Sequence, residues 1–115
     1  MLTRRLALTT LASTAMPIRN YPIIDPHVHV WKHDPRYPWA KETTHPPEKD
    51  ATPGMLLELM AANGVARTVI IQVIHYRWDN SYAADVLRQY PKFFRGVARV
   101  NPESPGAPDD LSCLV

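Results

Sequence analysis

VARTVIIQVI, residues 65–74, is a run dominated by β-branched residues without polar alternation. It predicts a strand buried on both faces, as in a parallel sheet wrapped by helices. The flanking segments agree. TPGMLLELMAANG (52–64) predicts a helix. Thr52 is a good N-cap and Pro53 suits the first helical position. Leu56, Leu59, Met60 and Asn63 recur at helical spacing, and Asn63-Gly64 supplies a left-handed stop. NSYAADVLRQY (80–90) predicts a second helix, capped by Asn80 or Ser81, with Ala83, Val86, Leu87 and Tyr90 on one side and Pro91 closing it. FFRGVARVNP (93–102) predicts a further strand, and PESPGAPDDLSCLV (102–115) begins like another helix. YPIIDPHVHV (21–30) predicts the first strand, although Pro22 and Pro26 each lack a ladder donor. Strand, helix, strand, helix, strand implies an α/β fold with a parallel sheet and right-handed crossovers.

The chain's 115 residues match one small domain. With 45% hydrophobic and 21% charged residues it reads as globular. A net charge of +2, with no basic stripe interleaved with aromatics, excludes the usual footprint of a nucleic-acid binder. No run of 18 apolar residues is present, so no membrane span is expected. The single cysteine, Cys113, excludes an internal disulfide and fits a reducing compartment. Residues 1–16 stand apart from the domain assigned to 17–115. Arg4-Arg5 before a short apolar stretch and Ser13-Thr14-Ala15 read as a twin-arginine leader or as a plain segment before the first strand. Localisation therefore stays open between cytoplasmic and exported.

Between the first strand and the first helix, residues 31–51 are rich in proline and carry Trp31, Tyr37 and Trp39. Proline keeps this segment out of regular helix, and the aromatics favour a folded flap over disorder.

The chemistry concentrates at the end of the first strand. Side chains alternate across a strand, so Asp25, His27, His29 and Trp31 are expected on one face, and Ile24, Pro26, Val28 and Val30 on the other. Two imidazoles one pleat apart can reach a single divalent metal, with zinc the first choice. Ligands in α/β folds sit at the carboxyl ends of strands, where His29 lies. His33 and His45 fall in the flap and read as solvated loop histidines. His75 follows the second strand and can reach the same rim. It is a candidate substrate contact, as are Trp31 and Gln72, the latter alternatively a buried hydrogen-bonding residue. Arg99 either grips a substrate carboxylate or forms a surface salt bridge. No GxSxG, paired cysteines or phosphate-binding glycine loop occurs, so no catalytic nucleophile is assigned.

PIIDPHVHVWKHDPRYPW resembles the opening of the amidohydrolase-related proteins, in the branch that holds lactonases and decarboxylating enzymes. VIIQVIHYRWDNSYAADVLRQYPKFFRGVARVNPES resembles the next βα segments of that branch. The resemblance implies a (β/α)8 barrel in which the paired histidines, here His27 and His29, ligate a divalent metal. Further histidines and an aspartate come from later strands. It also implies that some lactonases of the branch work without metal. Such a barrel takes about 250 residues, so the chain is expected to be its truncated N-terminal βαβαβ portion. The expected activity of the intact relative is metal-dependent hydrolysis of a small cyclic ester or amide. A decarboxylase and a non-catalytic metal-binding fragment are the alternatives. The chain alone is expected to be inactive and prone to self-association through unpaired strand edges.

Overall fold

The computed structural model describes residues 21–114, so the leader reading of 1–16 lies outside them. The elements are β1 (Ile23–Val28), α1 (Pro53–Asn63), β2 (Val65–Ile71), a 3₁₀ turn (Ile74–Tyr76), α2 (Ser81–Gln89), β3 (Phe94–Val97) and α3 (Ala107–Cys113). The sheet runs β1-β2-β3, and both pairings are parallel. The predicted α/β alternation is the architecture found.

α1 starts and stops where its sequence directs. Thr52 Oγ1 accepts from the Met55 N–H at 3.3 Å, Pro53 opens the helix, and Gly64 closes it at φ 67°. Left-handed backbone of that kind favours a residue without a Cβ. At α2 the cap differs from expectation. Asn80 precedes the helix but turns its side chain to the Trp78 and Arg99 carbonyls and the Arg99 N–H. It therefore ties the chain after β3 back to α2, while Asp79 Oδ1 accepts from Ser81 N at 3.0 Å.

The core lies on one side of the sheet. Ile70 of β2, Phe94 of β3, Met60 of α1, and Tyr82 and Val86 of α2 are buried together with Val30, Val73 and Tyr76. The expected burial of β2 on both faces is not met. Thr68 and Ile70 are each 1% exposed, but Val69 and Ile71 between and after them are only half-buried. The helices cover one face and leave the other open. The apolar spacing in α1 holds in part: Met60 is buried and Leu56 half-buried, whereas Leu59 points outward.

β1 departs most from the simple alternation. Asp25 pairs with Thr68 and Val28 with Ile70, so three steps on β1 match two on β2. A bulge takes up the extra residue at Pro26-His27. Proline offers no N–H to the ladder, and an edge strand tolerates the interruption. Asp25 thus falls beside helix-covered Thr68 rather than on the histidine face.

Two stability predictions arise here. Thr68 Oγ1 is buried and has no hydrogen-bond partner among the described residues. Thr68→Val keeps the shape and removes the stranded hydroxyl, so the urea midpoint should rise, equivalent to about 1 kcal/mol. A Cβ at Gly96 would collide with the Leu87 side chain on α2. Gly96→Ala should lower the urea midpoint, equivalent to about 1–2 kcal/mol, because the end of the Leu87 side chain must shift.

Candidate metal and substrate site

Val28 lies beside Ile70 on the covered face, which sends the flanking His27 and His29 to the open face. Their ring centroids are 5.1 Å apart with planes at 89°. The backbone N–H of His27 donates to Asp25 Oδ1 at 3.0 Å, fixing the bulge that carries the first ring. His29 Nδ1 lies 2.8 Å from the carbonyl oxygen of Ile71, the last residue of β2. A carbonyl only accepts, so Nδ1 donates this hydrogen bond, and in the neutral imidazole Nε2 is the nitrogen with the lone pair. Holding one ring nitrogen in this way orients the other as a ligand. Among the described residues, no group of three or more His, Cys, Asp or Glu side chains converges on one ion position.

The remaining candidates sit around the same end of the sheet with other partners. Trp31 is half-buried against the core. Its backbone bridges Ala51, and its indole N–H donates to the Lys49 carbonyl at 2.7 Å. Gln72 is buried, and its amide donates to the Asp79 carbonyl. His75, in the 3₁₀ turn, meets Trp39 edge-on at 6.1 Å. Among the described residues Arg99 has no salt-bridge partner; its guanidinium lies over the Trp78 ring at 5.2 Å.

The flap is folded and pinned to the body. The Tyr76 hydroxyl accepts from the Lys32 N–H at 3.2 Å and donates to the Lys32 carbonyl at 3.0 Å. Trp39 stacks on the Tyr76 ring at 4.7 Å. The Tyr37 hydroxyl donates to Asp85 on α2, and His33 meets Asp50 through both its backbone N–H and its ring at 2.8 and 2.7 Å. His33 is thus paired rather than simply solvated. The His33 hydrogen bonds hold the Asp50 carboxyl below its ordinary pKa, and Tyr37 does the same for Asp85. Lowered carboxylate pKa values mean stabilisation that is present above about pH 4 and lost as pH falls through the folded-state values. The thermal midpoint should therefore drop below about pH 4, and Asp50→Asn should flatten that acid limb in melts recorded from pH 6 to pH 2.

Sequence reasoning missed Tyr76 and Tyr37 as the pins of the flap. Only the tertiary fold shows that their hydroxyls reach backbone and carboxylate partners 44 and 48 residues away.

The model of the amidohydrolase family matches residues 24–112, most of the chain. The chain belongs to the amidohydrolase family. This amidohydrolase-family chain is 33% identical over 93 residues to an L-fucono-1,5-lactonase of Burkholderia ambifaria, covering 79% of the chain and 32% of the lactonase. Among solved structures it is similar to a probable 2-pyrone-4,6-dicarboxylic acid hydrolase of Acinetobacter baumannii with citric acid bound. That match has a TM-score of 0.69 at 20% identity, over 82% of this chain and 34% of that one. A protein of the same designation from Pseudomonas putida matches with a TM-score of 0.63 at 26% identity, over 81% and 33%. These structural neighbours are TIM-barrel amidohydrolases. The amidohydrolase-family chain spans about a third of the length of each relative it matches.

Proposed function

We propose that this chain supplies the first part of the active site of a hydrolase that opens small cyclic esters, with His27 and His29 as two ligands of a divalent metal, zinc before others. The observation that carries this reading is the Ile71 carbonyl on His29 Nδ1, which leaves Nε2 free on the same open face as His27. The ring separation also suits a shared ion. With a metal–nitrogen distance of about 2.1 Å, two imidazoles at a tetrahedral angle stand about 5 Å apart, centroid to centroid. The relatives add the substrate class, since a sugar lactone and a pyrone are both ring esters.

A bound ion of this kind polarises an ester carbonyl and makes water a better nucleophile at neutral pH. The chain's own contribution is orientation. The Ile71 carbonyl holds the His29 ring, the Asp25 hydrogen bond holds the His27 backbone, and the flap is fastened to the turn that follows β2. A catalytic zinc usually takes three protein ligands, so the two donors here are proposed to bind without turnover in the isolated chain.

Zinc titration of the 115-residue chain by calorimetry tests the ligand pair. One site is expected, weakened at least about tenfold in His27→Ala and in His29→Ala. Equal affinity in parent and variants would overturn it. The activity is tested by replacing the matching third of the Burkholderia lactonase with residues 21–112 of this chain. The chimera should hydrolyse L-fucono-1,5-lactone and lose about a hundredfold or more in kcat/KM on His29→Ala. Release of carbon dioxide from a carboxylated substrate would instead favour a decarboxylase.

A further inference from the structure

We infer that the cleft between the flap and the 3₁₀ turn binds a substrate carboxylate, read by Arg77. The inference deepens the hydrolase reading and rests on it for the claim that the bound carboxylate belongs to the ring ester. It starts from a backbone anomaly. Arg77 has φ 54° and ψ −110°, and among the described residues no other non-glycine residue has a positive φ. The Asp79 N–H donates to the Tyr76 carbonyl at 3.1 Å, which closes a four-residue turn with Arg77 at its first central position. These angles belong to a type II′ turn, where glycine is strongly favoured. An arginine held in a glycine conformation stores strain, and strain of this kind collects at binding sites.

The side chain so placed lines a cleft of about 330 Å³ with Thr43, Thr44, His45 and His75, and Glu42 at its edge. The cleft is a built site. The His75 carbonyl accepts from both the Ala40 N–H and the Thr43 hydroxyl at 2.9 Å, which locks the flap to the turn. Its lining offers the Arg77 guanidinium and the His75 ring, while the Thr43 hydroxyl is held by the His75 carbonyl and the Thr44 hydroxyl meets His45 Nδ1 at 2.9 Å. The one carboxylate, Glu42, is loosely placed, with Oε2 3.8 Å from Arg77 Nε and the side chain 62% exposed. A planar guanidinium binds a carboxylate through two parallel hydrogen bonds, so a ligand carboxylate can displace Glu42. The cleft opens at the carboxyl end of β2, the end at which Ile71 holds His29. In this reading Arg77 holds the carboxylate of a ring ester whose ester group is the one presented to the histidines.

The test is titration of the ¹⁵N-labelled 115-residue chain with glutarate, followed through the Arg77 Nε–H and the Thr43 and Thr44 amides. Saturable shifts are expected with glutarate and none with its uncharged diamide. Arg77→Gly should weaken glutarate at least about tenfold and raise the melting temperature by about 4 °C. Arg77→Lys, which keeps the charge and the strain but not the fork, should fall between. Glu42→Gln should tighten glutarate about twofold. A purely structural arginine predicts the opposite pattern: a lower melting temperature in Arg77→Gly with glutarate shifts unchanged, which would overturn the proposal. Inorganic phosphate binding as tightly as glutarate would overturn the assignment to carboxylates. Zinc binding separates the two readings. It should survive Arg77→Gly, and glutarate binding should survive His27→Ala, so either site can fail without the other.

Discussion

Phe94→Ala should abolish cooperative folding. The Phe94 ring is 1% exposed at the start of β3, beside Thr68 of β2, and meets Tyr90 edge-on at 5.7 Å. It belongs to the cluster through which α1 and α2 pack on the sheet. Truncating such a ring removes about 3–5 kcal/mol, by lost transfer energy and by the cavity left behind. Small domains hold only about 5–15 kcal/mol in total, and here one sheet face is open. The expected result is a urea transition that is broad or absent, with loss of near-ultraviolet circular dichroism. A sigmoidal transition within about 1 kcal/mol of the parent would show that the sheet does not depend on this face for its stability.

Tyr76→Phe should release the flap. The ring of Tyr76 is buried and would remain packed on Trp39, so the change isolates the hydroxyl. That hydroxyl serves both the N–H and the carbonyl of Lys32. Its loss strands two backbone groups, at about 1–3 kcal/mol for a buried unsatisfied group. The same fold should survive while residues 32–50 open more often. Trypsin cuts after exposed Lys41 and Lys49, so the rate of cleavage there should rise about tenfold or more, following the population of the open flap. Burial already pushes the Tyr76 phenol pKa upward. Its hydroxyl thus stays protonated and keeps donating well above neutral pH. An unchanged cleavage rate would mean that the Trp39 stack and the Asp85–Tyr37 bond hold the flap without it.

Much of this was legible in the chain. Thr52, Pro53 and Gly64 mark α1 because capping and left-handed closure are local: they depend on a few neighbouring residues and little else. The alternation of strand and helix is readable because β-branched runs and 3.6-residue spacing persist over whole elements. The histidine pair is readable because side chains two apart on extended backbone share a face. Other features depended on distant partners. The bulge at Pro26-His27 shows only against the β2 register, and it moves Asp25 off the histidine face. Asn80 has the composition of a cap but finds Arg99, 19 residues on, a better use for its amide. Arg77 carries no sequence sign of its turn, because the usual sign is the glycine it replaces.

By itself, then, the sequence determined the order of the elements, the ends of α1, and a pair of imidazoles near a strand tip, whereas the predicted strands 65–74 and 93–102 stop at Ile71 and Val97. Periodicity, capping and backbone sterics act over a handful of residues and need no other part of the chain. The tertiary structure decided which face of the sheet is covered, which nitrogen of His29 is free, and how the flap is fastened to Tyr76, Asp85 and His75. Each of those depends on a carbonyl, a carboxylate or a hydroxyl from a remote segment, and a hydrogen bond forms only where folding brings donor and acceptor within about 3 Å.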